Sequence, residues 1–241
     1  MEMKVFIIRR LFVFLVIVSP SWISTNAWGE EVGRWKINSS GAISWIIDNR
    51  LPHSDHIEMS GDSISAILSY KVNLDKSFQI DRQLVWPMLR TIPNNTHASL
   101  IRVISEDMIA KVNINGRPIK GETVEAIILN GLMTIKSSAQ GVGIERVIFP
   151  STEHPVFNEA YKITNQQDQP ISIEVPDYQV VYTTDPGKGV AGSYNIHLTS
   201  IGNGFYRLTK GEAVTFGLQF SACPRSGSNL ATDLAMERSK R

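Results

Sequence analysis

Two stretches concentrate the side chains that could do chemistry. Leu51-Pro-His-Ser-Asp-His-Ile-Glu-Met-Ser-Gly61 gathers His53, Asp55, His56 and Glu58 in one loop-to-strand segment. Two imidazoles and a carboxylate suit zinc with an open fourth position. No helical pattern brings both histidines to one face, however, and His97 is the one outlying ligand in view. The competing readings are hydrogen bonding at a sheet edge and a polar wall facing a ligand or a neighbouring domain. The expectation is no metal site and no cofactor.

The second stretch is Leu84-Val-Trp-Pro-Met-Leu-Arg-Thr-Ile-Pro-Asn-Asn-Thr-His97. Leu84 and Trp86 alternate along a strand that runs into Pro87, and a loop then carries Arg90, Asn94, Asn95 and His97. An indole supplies a flat apolar face, while guanidinium and amide groups supply planar hydrogen bonding, the combination a polyol needs. Long polar loops on rigid sheets are common places for binding. The plain alternative buries Trp86 beside Phe78, Ile80 and Leu84, leaving Arg90 and Asn94 to brace the loop.

Other motifs are weaker. Gly187-Lys-Gly-Val-Ala-Gly192 matches a dinucleotide-binding expression, but that chemistry needs a helix after the glycines, and Tyr194-Asn-Ile-His-Leu198 reads as a strand. Glu153 and His154 are adjacent, and neighbours on an extended chain point to opposite faces. Glycosidase chemistry needs two carboxyl groups set across a bond. Asp55, Glu58, Asp62, Glu153 and Asp177 are available, yet nothing in the sequence pairs them. No catalytic residue is therefore assigned. Cys223 is the single cysteine; with no histidine or basic cluster beside it in sequence, it reads as an inert thiol of the tail.

The elements that must position these residues are strands. Ile43, Trp45 and Ile47 alternate with polar neighbours, as do Ile64, Ala66, Leu68, Tyr70 and Val72. Ile171, Ile173 and Val175 repeat the pattern, followed by Tyr194, Ile196 and Leu198, then Val214, Phe216, Leu218 and Phe220. Period two marks half-buried strands of antiparallel sheets. Asn115-Gly116, Asn130-Gly131 and Asn203-Gly204 supply hairpin turns between them. About a dozen strands with no convincing helix over residues 34–222 predict an all-β fold, a large antiparallel two-sheet sandwich. After Ala222 the composition becomes that of a linker, and Leu230 and Leu234 then share one face of a short helix with basic residues late in it.

Lys4, Arg9 and Arg10, the apolar run Leu11–Val18, Pro20 and Thr25-Asn-Ala27 read as an N-terminal signal helix for export, cleaved near residue 27. The apolar run is short for a membrane span, so the expectation is a periplasmic or secreted chain with no stable membrane span. Removing residues 1–27 takes the formal charge from +1 to −1, since three basic and one acidic residue leave. A near-neutral chain has no electrostatic case for nucleic acid. Residues 28–222 form the expected sandwich domain, and 223–241 the linker and the start of a helix.

Gly41-Ala-Ile-Ser-Trp45, the His53 and Trp86 stretches, Phe149-Pro-Ser-Thr-Glu-His-Pro155, Tyr161-Lys-Ile-Thr-Asn165 and Val175-Pro-Asp-Tyr178 resemble the opening of large secreted Bacteroidetes-type glycoside hydrolases. Those enzymes have a six-hairpin plan, in which an N-terminal β-supersandwich of the galactose-mutarotase-like kind precedes a linker helix and an (α/α)6 catalytic barrel. The resemblance implies a carbohydrate context and a helical catalytic domain as partner. Because the general acid and base of such enzymes lie chiefly on the barrel, it carries over no catalytic residue. It implies instead a supporting module, with Trp86, Arg90, Asn94, His97, His53, His56 and Glu58 edging a substrate cleft. The rival expectation, a stand-alone carbohydrate-binding protein, calls for an exposed aromatic platform among Trp28, Trp35, Trp45, Trp86 and Tyr178. A metal-dependent hydrolase built on the His53 stretch is a third.

Overall fold

The computed structural model describes residues 33–48 and 52–241. The signal sequence expected over residues 1–27, Trp28 and Leu51 lie outside the described residues. Arg34–Arg241 form one unit; of the other, Met1–Gly33, only Gly33 is described.

Seventeen strands follow one another among the described residues. The first six are β1 (Lys36–Ile37), β2 (Ile43–Ile46), β3 (His53–Ser60), β4 (Ser65–Val72), β5 (Phe78–Arg90) and β6 (Ser99–Ile104). Next come β7 (Asn113–Ile114), β8 (Arg117–Pro118), β9 (Thr123–Leu129), β10 (Met133–Ala139), β11 (Val142–Pro150) and β12 (Val156–Asn165). The last are β13 (Ile171–Val175), β14 (Gln179–Thr183), β15 (Tyr194–Ile201), β16 (Gly204–Leu208) and β17 (Ala213–Pro224), before a short helix α1 (Leu234–Ser239). None of the described helices is long and apolar enough to cross a membrane.

The strands build three antiparallel sheets. One has nine strands in the order β1-β2-β9-β10-β11-β12-β17-β15-β14, and two have four, β3-β4-β5-β6 and β16-β13-β7-β8. The main hydrophobic core draws on all three: Leu68, Leu84 and Trp86 from one small sheet, Ile114 and Ile173 from the other, Ile144, Phe157, Phe216 and Leu218 from the large one. The all-β, antiparallel expectation holds in this sandwich-like arrangement, but three hydrogen-bonded sheets stand where two were expected. Among the strands beyond the dozen expected are the two-residue β1, β7 and β8, too short to carry a periodicity.

Alternation explains which face is buried. Ile64, Ala66, Leu68, Tyr70 and Val72 are all buried, as are Val214, Phe216, Leu218 and Phe220. At the β7–β8 turn both Asn115 and Gly116 have positive φ, 49° and 75°, the geometry that a two-residue hairpin of right-handed twist requires. Gln140 and Gly141 do the same between β10 and β11, at 49° and 79°.

The C-terminal segment lies on the outer face of the large sheet. Asp233 caps α1 by accepting from the Met236 N–H at 2.8 Å. Leu234 packs with Val147, Phe149 and Ala160 in a second apolar cluster. It reaches so close to Gly217 that a Cβ there would stand 2.6 Å from its Cδ2. The Gln219 side chain amide donates to the Thr232 carbonyl and hydroxyl at 2.9 and 2.7 Å, and Lys240 pairs with Glu153 at 2.9 Å. Leu230 precedes the helix and is partly exposed, so the expected Leu230–Leu234 helical face is not formed. Of the two leucines, only Leu234 docks, beside the polar anchors at Thr232 and Lys240.

Candidate functional site

His53, His56 and Glu58 sit on β3, an edge strand, not in a loop. Strand alternation sends His53 to the core side and His56 and Glu58 to the outer face, where both are exposed. Three positions apart on a strand, the two histidines cannot share a ligand. Among the described residues no three His, Cys, Asp or Glu side chains converge as a metal site.

His53 is enclosed by aromatic rings. Its ring meets Trp45 edge-on at 5.1 Å and Tyr70 at 5.7 Å, and Trp45 in turn carries the Arg34 guanidinium at 5.0 Å and the Trp35 ring at 5.8 Å. A guanidinium can only donate, so His53 Nδ1 accepts from Arg34 and Nε2–H donates to the Tyr70 hydroxyl at 3.1 Å. The imidazole is thereby held neutral. Burial, with Arg34 beside it, lowers its proton affinity below the ordinary value, while Asp55 at 3.9 Å works the other way. Burial, then the nearby Asp55 carboxylate, pushes the Tyr70 hydroxyl up.

The Trp86 stretch is placed elsewhere. Trp86 is 1 % exposed, and its indole N–H donates to the Pro155 carbonyl at 3.0 Å. Strand β5 does not stop at Pro87 as expected. It continues to Arg90 through a register shift between Trp86 and Arg90, the irregularity that lets a proline sit in a sheet. Arg90 therefore ends a strand, and its guanidinium donates to the Thr96 carbonyl. The Arg90 carbonyl accepts from the Tyr194 hydroxyl at 2.6 Å and the Val190 N–H at 2.9 Å. Asn94 turns the loop with φ of 57°, and the exposed His97 has its backbone N–H on Asn95 Oδ1 at 2.9 Å. Cross-strand partners place His53 beside Val72 and Val72 beside Phe78. Trp86 lies eight residues further along β5, roughly 26 Å at about 3.3 Å per residue. His53 and Trp86 thus lie at opposite ends of one sheet, whereas Glu58 falls level with Gln83, three positions from Trp86 and two strands away.

The densest constellation was missed by sequence reasoning and is buried. Arg82, from β5, forms a two-pronged pair with Glu159, from β12, through Nε and through Nη2 at 2.9 Å. Its Nη1 donates to the carbonyls of Ile80 and Glu106 at 3.1 and 3.0 Å. The Tyr161 hydroxyl donates to the same carboxylate. Alongside, Arg146 reaches Asp107 at 3.0 Å and Glu122 at 3.5 Å and lies over the Phe78 and Tyr161 rings at 5.7 and 5.5 Å. Burial by itself would lower both guanidiniums; Glu159 for Arg82, and Asp107 with Glu122 for Arg146, more than offset it and hold both above their ordinary value. Arg82 and Glu159 are completely buried and join two layers, while the Arg146 side of the cluster reaches the surface at the partly exposed Asp107. The signal lay in parity: Arg82 falls between Ile80 and Leu84, Glu159 between Phe157 and Tyr161, and Arg146 between Ile144 and Ile148, all on buried phases.

The remaining candidates separate. Glu153 is engaged by Lys240, whose hydrogen bond and charge lower its carboxyl below the usual range. Gly187–Gly192 is a loop with a 3-10 turn at Pro186–Lys188, followed by β15. Trp45 and Trp86 are buried, and the Tyr178 ring is covered by Lys111 at 4.5 Å, so neither tryptophan offers a platform. Ile92, Ile101, Arg102 and Lys188 flank a groove of about 650 Å³ along the edge strand β6. Cys223 belongs to β17, not to the tail, and register brings His197 beside it, Sγ to Nε2 3.7 Å. No histidine is adjacent to Cys223 in sequence; this neighbour comes from across the sheet, and burial pushes the thiol up.

Three of the segments that carried the sequence resemblance, 51–61, 84–97 and 149–155, approach one another at one end of the sandwich. The Asp62 N–H donates to the Thr152 carbonyl at 2.8 Å, Ser63 Oγ to the Glu153 carbonyl at 3.2 Å, and Trp86 to Pro155. A Cβ on Gly61 would stand 1.8 Å from the Ser151 carbonyl oxygen. Lys240 and Arg241 join the same corner through Glu153 and the Ser60 carbonyl. No protein-family model matches the chain, and no curated protein matches it.

Proposed function

We propose that this chain is the non-catalytic β-supersandwich module, galactose-mutarotase-like in plan, of an exported glycoside hydrolase that acts in polysaccharide degradation. It supports a helical (α/α)6 catalytic domain that these residues do not include. The observation that carries the reading is the corner just described. Three separate stretches that resemble such enzymes, 51–61, 84–97 and 149–155, interlock there with the C-terminal segment. The route to a partner domain in such enzymes runs through a C-terminal linker helix, and here α1 is anchored beside that corner. In this reading Trp86 and Arg90 shape the edge of the partner's cleft from behind, while Asn94, His97, His56 and Glu58 are solvent-facing and free to contact a glycan.

Binding and genomic tests separate this reading from a stand-alone carbohydrate-binding protein. Calorimetric titration of the purified chain with a panel of oligosaccharides is expected to give no saturable heat, and the coding sequence following Arg241 is expected to continue into helical hairpins. Saturable binding to the isolated chain, with no helical domain encoded nearby, would favour the carbohydrate-binding alternative.

A further inference from the structure

We propose that the groove along edge strand β6 takes an extended, acidic peptide segment of a partner protein, which adds to the four-stranded sheet as a fifth strand. It requires neither a glycan nor the helical domain. β6 closes the order β3-β4-β5-β6. With β5 on one side, the backbone N–H and C=O groups on its other side face the groove, between Leu100–Arg102 and the Thr184–Lys188 loop. Such an edge is a template for a further strand unless charges guard it. β3, at the opposite edge, carries Asp55, His56 and Glu58, all exposed. β6 has no such guard. Ile101 and Val103 share one face of it and are exposed, as is Ile92 on the groove's wall. Its one charge, Arg102, falls on the other face, where the guanidinium lies on the Tyr182 ring at 4.3 Å.

The groove is already formed. Asp185 caps the Pro186–Lys188 turn by accepting from the Gly187 N–H at 2.9 Å, and the Val190 N–H ties the same loop to the Arg90 carbonyl at 2.9 Å. Binding therefore does not have to order that wall. Charge selects the occupant. Arg102 and Lys188 are the charged side chains of the lining, and no carboxylate is among the described residues that form it. In strand addition the backbone supplies affinity and alternate side chains supply specificity. Carboxylates at alternate positions of the added strand meet Arg102 and Lys188, while the apolar residues between them cover Ile101 and Val103. A second copy of this chain presenting its own β6 would instead bring another Arg102 and Lys188 into the same groove, which like-charge repulsion opposes.

The probe is a fluorescently labelled peptide of about seven residues, valine alternating with glutamate and capped at both ends, the length of strand that β6 can pair. Its anisotropy on titration with the purified chain is expected to saturate, with a midpoint below about 1 mM, and a valine–lysine peptide is expected not to bind. Lys188→Glu should weaken binding about threefold with circular dichroism unchanged. N-methylation tests strand pairing without altering the protein. Methylating one alternate set of peptide nitrogens should abolish binding and methylating the other should spare it, because only one set faces β6. Absence of a saturable signal at millimolar protein would overturn the proposal. So would equal binding of both methylated peptides, or equal affinity for polygalacturonate, since either would reduce the groove to a general anion surface. Sedimentation that shows a dimer excluding the peptide would overturn it as well, by giving the groove to a second copy of this chain.

Discussion

Removing Glu159 while keeping Arg82 should be the most damaging single change in the molecule. Both side chains are fully buried and lie on opposite layers. In Glu159→Leu, the Arg82 Nε and Nη2 donors lose their only carboxylate, the Tyr161 hydroxyl loses its acceptor, and a guanidinium remains in the core. Breaking such a pair from one side costs about 3–5 kcal/mol. For a domain of this size each kcal/mol moves Tm by about 2–4 °C, so a fall of roughly 6–20 °C is expected. Urea denaturation followed by the fluorescence of buried Trp45 and Trp86 gives the free energy by linear extrapolation. The double variant Arg82→Met/Glu159→Leu removes both charges and should recover most of the loss, because replacing a whole buried pair by apolar groups is often near neutral. A single-variant cost below about 1 kcal/mol, or a double variant as unstable as the single, would refute the reasoning.

Acidification should destabilise the protein before its carboxylates titrate. His53 and His197 both bind protons less well when folded than the ordinary unfolded imidazole at about 6.5. Their contribution is complete above that value and is lost as pH falls through the lower folded values. The urea midpoint should drop between pH 7.5 and 5.5, and less steeply in His53→Gln/His197→Gln; an unchanged slope in that variant would assign the effect elsewhere. Leu234→Ala should loosen the segment, forfeiting about 1.5–3 kcal/mol of local docking, and should speed tryptic cleavage after Arg225, whereas wild-type resistance would mean that Leu234 contributes little to holding the segment. Trp86→Phe removes the donor to Pro155 and should cost about 1–3 kcal/mol; no measurable cost would place that bond among the dispensable ones.

Parity made most of the scaffold legible before any coordinates. The alternation of Ile64 to Val72 and of Val214 to Phe220 declares strands because one face must leave water. The plain reading of Trp86 as a core residue was available from Phe78, Ile80 and Leu84 in the same phase. Partners across strands were not legible, because register belongs to the pairing and not to local sequence. This is why the Arg82–Glu159 pair and the Cys223–His197 pair went unseen, although a charge on a buried phase was a readable warning. It is also why His53 and Trp86, each prominent locally, could not be recognised as lying at opposite ends of one sheet. The helix was placed one turn too early, since Leu230 and Leu234 share a helical spacing but only Leu234 finds an apolar neighbour.

The most direct measurement is reducing-sugar release by the purified chain from a broad panel of polysaccharides and oligosaccharides. The proposal of a supporting module predicts no release above buffer from any of them, and release on addition of a helical domain encoded beside it. Turnover of any glycan by these residues alone would contradict it.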